Sequence, residues 1–444
     1  MTNGFCRAAL AALVAVVAWL PAAGAGAIDI KEITTPLGIK AWLVEDKSTP
    51  VVALSFSFAG GTASDPVGQA GVTSLMAALL SDGAGPFDAQ AFRRRQEDAA
   101  TSIGFGASLD RLSGTLRVLS INRSDGFELL RLALTQPRFD PDMVEQRRAQ
   151  TIAQINQSDQ RPQSVAGRTL MATVFAGHPY AANPEGTRED LTTLTPALLK
   201  RRAAALMQRG GLIVSAVGDI SEAELAHQLD RAFGSLVVGT VPPLPPEWKP
   251  PTKPRTIVVE RPVPQSTVLM ALPGIARDDP DWYAAVVMNH VLGGGGQQSR
   301  LFAEVRDKRG LAYGVSTGLR TYKRAALMVI STASANERVA EAIRVIRAEL
   351  ARMRTEGITQ QELADAKTYL NGALALSLDS SGSVAGLLQS LQIDGLSADH
   401  VTRRTALIDA VKLEDVRRVA RRLLRDEAMT TVVVGKPVGV TADP

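Results

Sequence analysis

Two stretches of the chain repeat one pattern of apolar and polar positions. From Val51 the run VVALSFSFAGGTASDP, and from Ser266 the run STVLMALPGIARDDP, each read as a strand and a turn closed by Asp-Pro. An amphipathic helix ending in glycines follows in both places. The Asp-Pro pairs begin at Asp65 and Asp279, 214 positions apart. Helices open near Phe139 and Ile358, 219 apart, and strands end at Gly218 and Gly435, 217 apart. Three landmarks in one order, at nearly one offset, predict an internal duplication.

Within the second copy, Thr267–Leu272, Tyr313–Leu319 and Ala326–Ser331 carry the β-branched and aromatic enrichment of strands. Ala335–Met353 has apolar residues three and four apart and reads as a helix. Thr359 and Glu362 stand in capping-box register to open the next one. Val241–Pro254 holds seven prolines in fourteen residues, which fixes φ and removes donors, so it reads as an extended, semi-rigid linker. The expected organisation is an export signal over 1–27, an α+β domain over 28–240, a linker over 241–255 and a second α+β domain over 256–444. Strands followed by long helices, twice over, predict helices packed on largely antiparallel sheets.

Composition narrows the class without naming the chemistry. With 444 residues, 45% hydrophobic and 21% charged, the chain is globular and long enough for two or three domains. A net charge of +4 is too small for a nucleic-acid binder. Arg417, Arg418, Arg421, Arg422 and Arg425 recur at helical spacing and read as a solvated helix face. At the N-terminus Arg7 precedes the apolar run Ala8–Leu20, which is shorter than the roughly 20 residues of a membrane span. Pro21 breaks the run, and Ala25-Gly26-Ala27 has the small-x-small cleavage pattern. The expectation is cleavage after Ala27 and a periplasmic chain with no membrane anchor. Cys6, the only cysteine, would leave with the signal, removing disulfide and thiolate chemistry.

Among the four histidines, His178, His227, His290 and His400, no two lie within five residues, so no helix turn presents a histidine pair to a metal. No Gly-x-Ser-x-Gly elbow is present. The run Gly293, Gly294, Gly295 and Gly296 lacks the Lys-Ser/Thr of a phosphate loop and follows a helix, which argues against nucleotide binding. Glycines without side chains would instead let an extended peptide backbone approach closely, so these four are candidate substrate-binding positions.

The segment Leu292–Leu319, LGGGGQQSRLFAEVRDKRGLAYGVSTGL, resembles the C-terminal half of the pitrilysin/insulinase-type zinc peptidases, especially their processing-protease-like members. The shared features are the glycine-rich turn, Ser-Arg-Leu-Phe, Val-Arg and Gly-Leu-Ala-Tyr, with Arg306 and Tyr313 seven residues apart. Pro137–Phe139, His178-Pro-Tyr and Val217–Asp219 extend the resemblance over nearly the whole chain. It implies two homologous halves facing a central cleft. Active members carry His-x-x-Glu-His on the helix after the first Asp-Pro turn. Here Gly71–Ala78 reads GVTSLMAA, so Ser74 and Ala78 stand at the ligand positions, Ala77 at the base and Gln154 near the third ligand. Neutral side chains there cannot hold zinc or activate a water, so no metal or other cofactor is expected in this chain.

The resemblance implies that Arg306 and Tyr313 form a catalytic pair, with Tyr313 donating to a developing oxyanion and Arg306 positioning substrate. The expected function is therefore the zinc-less subunit of a heterodimeric periplasmic metallopeptidase. Zinc would be held by a homologous partner subunit bearing His-x-x-Glu-His, and a peptide would be the substrate. The alternative is a catalytically inactive homologue serving as a scaffold or peptide-binding protein.

Overall fold

The computed structural model describes residues 29–443. The export-signal reading of residues 1–27 lies outside the described residues. The first half contributes strands β1 (Lys31–Thr34), β2 (Lys40–Glu45), β3 (Val51–Ala59), β4 (Thr101–Ala107), β5 (Arg111–Leu119) and β6 (Ile213–Gly218). The second contributes β7 (Arg255–Glu260), β8 (Gln265–Pro273), β9 (Ala312–Thr321), β10 (Ala326–Ala335) and β11 (Thr430–Gly435). Their orders are β1-β2-β6-β3-β5-β4 and β7-β11-β8-β10-β9. With β1 set aside the two orders match strand for strand. In both sheets the one parallel pairing joins the corresponding strands, β2 with β6 and β7 with β11. The chain is thus α+β with a duplicated topology.

Helices α1 (Val72–Leu79), α2 (Ala89–Asp98), α3 (Arg123–Thr135), α4 (Pro141–Gln160), α5 (Pro162–Val174), α6 (Arg188–Thr193), α7 (Pro196–Leu206) and α8 (Glu222–Phe233) belong to the first half. Helices α9 (Trp282–Asn289), α10 (Val339–Glu356), α11 (Gln360–Ser377), α12 (Ser381–Ile393), α13 (His400–Asp409) and α14 (Leu413–Leu423) belong to the second. The predicted start of α10 at Ala335 falls four residues early. Ala335 still pairs with Gln265 in the sheet, and the Asn336 amide is tied to Ser266 and to the Val263 carbonyl, which delays the helix. The capping box of α11 forms as its register predicts: the Thr359 N–H donates to Glu362 Oε2 at 2.7 Å and the Glu362 N–H to Thr359 Oγ1 at 3.2 Å. The arginine face of α14 is exposed, but Arg418 and Arg422 are paired with Asp281 and Asp279 rather than merely solvated.

Each sheet is covered on one face by its own helices and on the other by a helix of the opposite half. In β3 the residues Val52, Leu54, Phe56 and Phe58 enter the first half's core, while Ser55 and Ser57 take the alternate face. On that face α12 seats Leu388 and Leu391 against Trp42 and Val217. Ser55 Oγ donates to Gln389 Oε1 at 3.0 Å, and Gln392 Nε2 donates to Ser215 Oγ at 2.7 Å. Reciprocally, α5 and the residue after it place Leu170, Val174 and Phe175 against Leu269, Ala271, Val432 and Val434. Burial on both faces explains why Val268–Leu272 of β8 is an unbroken apolar run and why Ser55 and Ser57 of β3 are buried rather than solvent-facing.

The proline-rich segment is docked along the junction. The Trp248 indole N–H donates to the Val174 carbonyl at 3.0 Å, and its ring packs 5.3 Å from Phe175. His178 Nε2 bonds the Pro246 carbonyl at 2.8 Å. A cavity of about 550 Å³ opens between the halves beside this segment. Nearby, the Tyr180 hydroxyl donates to Asp110 Oδ1 at 2.6 Å and accepts the Arg324 N–H at 3.2 Å, while the Lys323 N–H donates to Asp110 Oδ2 at 2.9 Å. Burial, reinforced by Asp110, pushes the Tyr180 phenol above its ordinary pKa. Tyr180→Phe keeps the buried ring but strips a partner from both Asp110 and Arg324. We predict a loss of about 1–3 kcal/mol in urea unfolding; an unchanged midpoint would show that water replaces the hydroxyl at no cost.

Candidate functional site

The helix at the metal-motif position is α1. Asp65, from the first Asp-Pro pair, accepts the Gly71 N–H at 2.9 Å and the Thr73 hydroxyl, satisfying donors at the helix start. Arg202 approaches the same carboxylate at 3.2 Å. Along α1, Ser74 Oγ donates to the Pro184 carbonyl at 2.6 Å, Ala77 is buried in the core, and Ala78 is exposed with no donor atom to offer. Gln154 stands exposed on α4. A serine already spent on a backbone carbonyl, two alanines and an amide do not make a zinc site. Among the described residues, no three His, Cys, Asp or Glu side chains come together as metal ligands.

The histidines are used elsewhere. His178 engages the backbone through both ring nitrogens, taking the Tyr180 N–H on Nδ1. His227 is exposed on α8. His400 Nε2 lies 2.7 Å from the Tyr283 hydroxyl and 3.3 Å from Arg277, and burial followed by Arg277 lowers its pKa. His290 begins a π-helical turn over His290–Gly294 at the end of α9 and stacks on Tyr369 at 4.7 Å. Burial lowers its pKa.

That π turn holds Gly293 and Gly294, and Gly295 and Gly296 follow it. A Cβ on Gly293 would come within 2.6 Å of Thr317 in β9, one on Gly294 within 2.4 Å of Asn289 and one on Gly295 within 2.8 Å of the His290 carbonyl. Those three glycines therefore serve close packing inside the chain. Only Gly296 faces open space, at φ +61°, which favours glycine for its backbone alone.

Arg306 and Tyr313 come together as their spacing suggests. A helical turn (Arg300–Phe302) passes into a second π-helical stretch, Ala303–Asp307, which carries Arg306. The chain reverses through Gly310 at φ +56°, and the Leu311 N–H closes the turn on the Val305 carbonyl at 2.8 Å. Tyr313 then falls where the register of β9 against β10 shifts: Ala312 pairs with Ser334 but Val315 with Thr332. Two residues, Tyr313 and Gly314, thus oppose one, a bulge of the kind that re-aims a side chain. β9 is the edge strand of its sheet. Tyr313 is 87% exposed, with the Arg306 guanidinium 5.0 Å from its ring centroid. Among the described residues Arg306 has no ion-pair partner and the Tyr313 hydroxyl no hydrogen bond. π-helical turns are frequent at functional sites, and two of them, His290–Gly294 and Ala303–Asp307, lie in this segment.

Behind the pair lies a buried charge network that sequence reasoning missed. Arg300 grips Glu362 bidentately at 2.6 and 2.7 Å and reaches Glu349 at 3.4 Å. Arg352 also bonds Glu349, at 3.1 Å. Burial opposes ionisation of Glu362, but Arg300 and Thr359 outweigh it and bring the carboxyl to about 2. For Glu349 burial wins and raises the pKa. Ser299 closes the motif by donating to the Gly296 carbonyl at 2.7 Å. The Ser-Arg-Leu-Phe signature marked this segment, but nothing local pointed to glutamates 49 and 62 residues downstream.

The comparisons agree with this architecture. Residues 40–188 match the family described as Insulinase (Peptidase family M16), and residues 193–370 match its Peptidase M16 inactive domain. A crystal structure of a peptidase M16 inactive domain from Pseudomonas fluorescens superposes with a TM-score of 0.88 at 28% identity, covering 94% of this chain and 99% of that one. An uncharacterized zinc protease of Mycobacterium bovis is 29% identical over 293 residues, 65% of this chain and 66% of the relative, so the match spans slightly under two thirds of that protein. The Helicobacter pylori non-peptidase homolog YmxG is 26% identical over 330 residues, covering 74% of this chain and 76% of its own. The fold and helix α1 define an insulinase-type chain with no zinc-ligand set among its described residues. This chain belongs to peptidase family M16.

Proposed function

We propose that this chain is the zinc-less subunit of a two-chain periplasmic peptidase, supplying Arg306 and Tyr313 to substrate bound at a homologous subunit that carries His-x-x-Glu-His. The observation that carries the reading is the pairing itself: an exposed tyrosine hydroxyl re-aimed by a bulge, beneath a guanidinium that no carboxylate neutralises. Such a hydroxyl suits donation to an oxyanion, and a permanently charged guanidinium suits binding of a substrate backbone or carboxylate. A pure scaffold has no use for two polar groups left without partners at a sheet edge. The metal chemistry belongs to the partner, because Ser74, Ala77, Ala78 and Gln154 offer no ligand set here.

The test begins with the purified chain, which is expected to hold no stoichiometric zinc by metal analysis and to show no chelator-sensitive hydrolysis of an internally quenched peptide. Co-expressed with an exported homologue bearing His-x-x-Glu-His, it should co-purify and the complex should cleave that peptide. About one tightly held zinc per chain, or activity without a partner, would overturn the proposal.

A further inference from the structure

We propose that Phe302 is a positioning residue for Arg306: its ring is the platform that holds the guanidinium over Tyr313. The inference rests on the proposed use of the Arg306–Tyr313 pair and adds a residue to it. The Arg306 guanidinium carbon lies 4.7 Å from the Phe302 ring centroid and 5.0 Å from that of Tyr313, so the cation is bracketed by two aromatic rings. Phe302 and Arg306 are four apart, the spacing at which helix side chains meet. Phe302 is only 9% exposed and packs into the second half's core, whereas Tyr313 is 87% exposed. One ring is therefore fixed and the other free, and the fixed one sets where the cation sits.

No other side chain among the described residues performs this task. Among the described residues Arg306 has no ion pair or side-chain hydrogen bond, so its direction depends on the two rings alone. A carboxylate in place of Phe302 would orient the guanidinium more firmly but would neutralise the charge offered to substrate. An aromatic face orients a cation while leaving its N–H donors free at the edge. The platform is itself anchored, because Arg300, two residues earlier, is locked to Glu362 and Glu349. Successive residues of the Ser-Arg-Leu-Phe motif thus divide the work. Ser299 closes the glycine turn, Arg300 anchors, Leu301 fills the core and Phe302 supports Arg306.

The experiment compares wild type, Phe302→Leu, Phe302→Trp and Tyr313→Phe. In the isolated full-length chain, NMR relaxation of the Arg306 Nε–H group is expected to show an ordered side chain in wild type. It should become mobile in Phe302→Leu and ordered again in Phe302→Trp. In the assembled two-chain enzyme, assayed with the internally quenched peptide, Phe302→Leu should lower kcat/KM about tenfold, mainly through a raised KM, and Phe302→Trp should restore it. Mere loss of folded enzyme would lower kcat at constant KM instead, and that outcome would overturn the positioning role. An Arg306 that stays ordered in Phe302→Leu would overturn it too, without any reference to activity. If Phe302→Leu does not fold, Phe302→Met takes its place, removing the aromatic face while keeping an unbranched apolar chain. Wild-type kinetics in Phe302→Leu beside a strongly impaired Tyr313→Phe would sink the platform and spare the proposed function. An unimpaired Tyr313→Phe would sink the proposed function itself.

Discussion

Tyr313→Phe, in the proposed two-chain enzyme when correctly assembled, is expected to lower kcat about 10²-fold with a smaller change in KM. The substitution keeps the ring, and with it the face against which Arg306 stacks at 5.0 Å. It removes only the hydroxyl, which among the described residues has no partner to lose. Stability should therefore hold, and the whole effect should fall on chemistry. A donor aimed at an oxygen whose negative charge grows toward the transition state contributes little to ground-state binding, so kcat changes more than KM. Arg306→Ala should act on both constants, because it takes away charge and positioning together. Wild-type kcat in a properly formed Tyr313→Phe complex would leave the scaffold reading in its place.

Arg300→Met should produce the largest loss of stability, about 3–5 kcal/mol at neutral pH. Methionine approximates the length of the arginine stem but deserts two glutamates at once. Glu349 is 4% exposed and keeps only Arg352, while Glu362 keeps the Thr359 cap. The pH dependence gives a second readout. In the wild type the folded pKa of Glu362, about 2, lies below its ordinary 4.5. Its stabilising contribution is therefore complete above about pH 4.5 and disappears as pH falls toward 2. Glu349 is shifted the other way, so its ionisation opposes folding as pH rises through its raised pKa. Without Arg300 both carboxyls resist ionisation, and acidification should relieve the variant. Its deficit against wild type should shrink from pH 7 to pH 3 in urea unfolding. An equal deficit at both pH values would mean that the loss is one of packing.

Much of this molecule was legible without coordinates. The recurrence of Asp65 and Asp279, of Gly218 and Gly435, predicted a duplication that is visible in matching strand orders. The Thr359–Glu362 box formed as read, and the seven-position spacing of Arg306 and Tyr313 gives contact across a turn. At the positions where the resemblance implies metal ligands, the chain carries only Ser74, Ala77, Ala78 and Gln154. The cap and the Arg306–Tyr313 spacing are local signals, written within one turn, where the chain geometry that reads them is fixed; the duplication shows because a local pattern recurs in the same order.

What the sequence could not disclose depends on segments brought together over long distances. Ser55 interrupts an apolar strand, and its reason is Gln389, 334 residues away on a helix exchanged between the halves. The proline-rich segment reads as a linker, yet Trp248 pins it to Val174 and Phe175. The glycine run reads as open to a peptide, yet Gly293 is glycine because Thr317 lies against it. Hydrophobic period states only that a face is buried, never which element covers it, because burial is non-directional. The sequence by itself determined the duplicated α+β elements, the neutral side chains of Ser74, Ala77, Ala78 and Gln154, and the Arg306–Tyr313 spacing. Only the tertiary structure decided the exchanged helices, the Arg300–Glu349–Glu362 anchor and the bulge at Tyr313, since each is a contact between residues whose separation along the chain carries no signal.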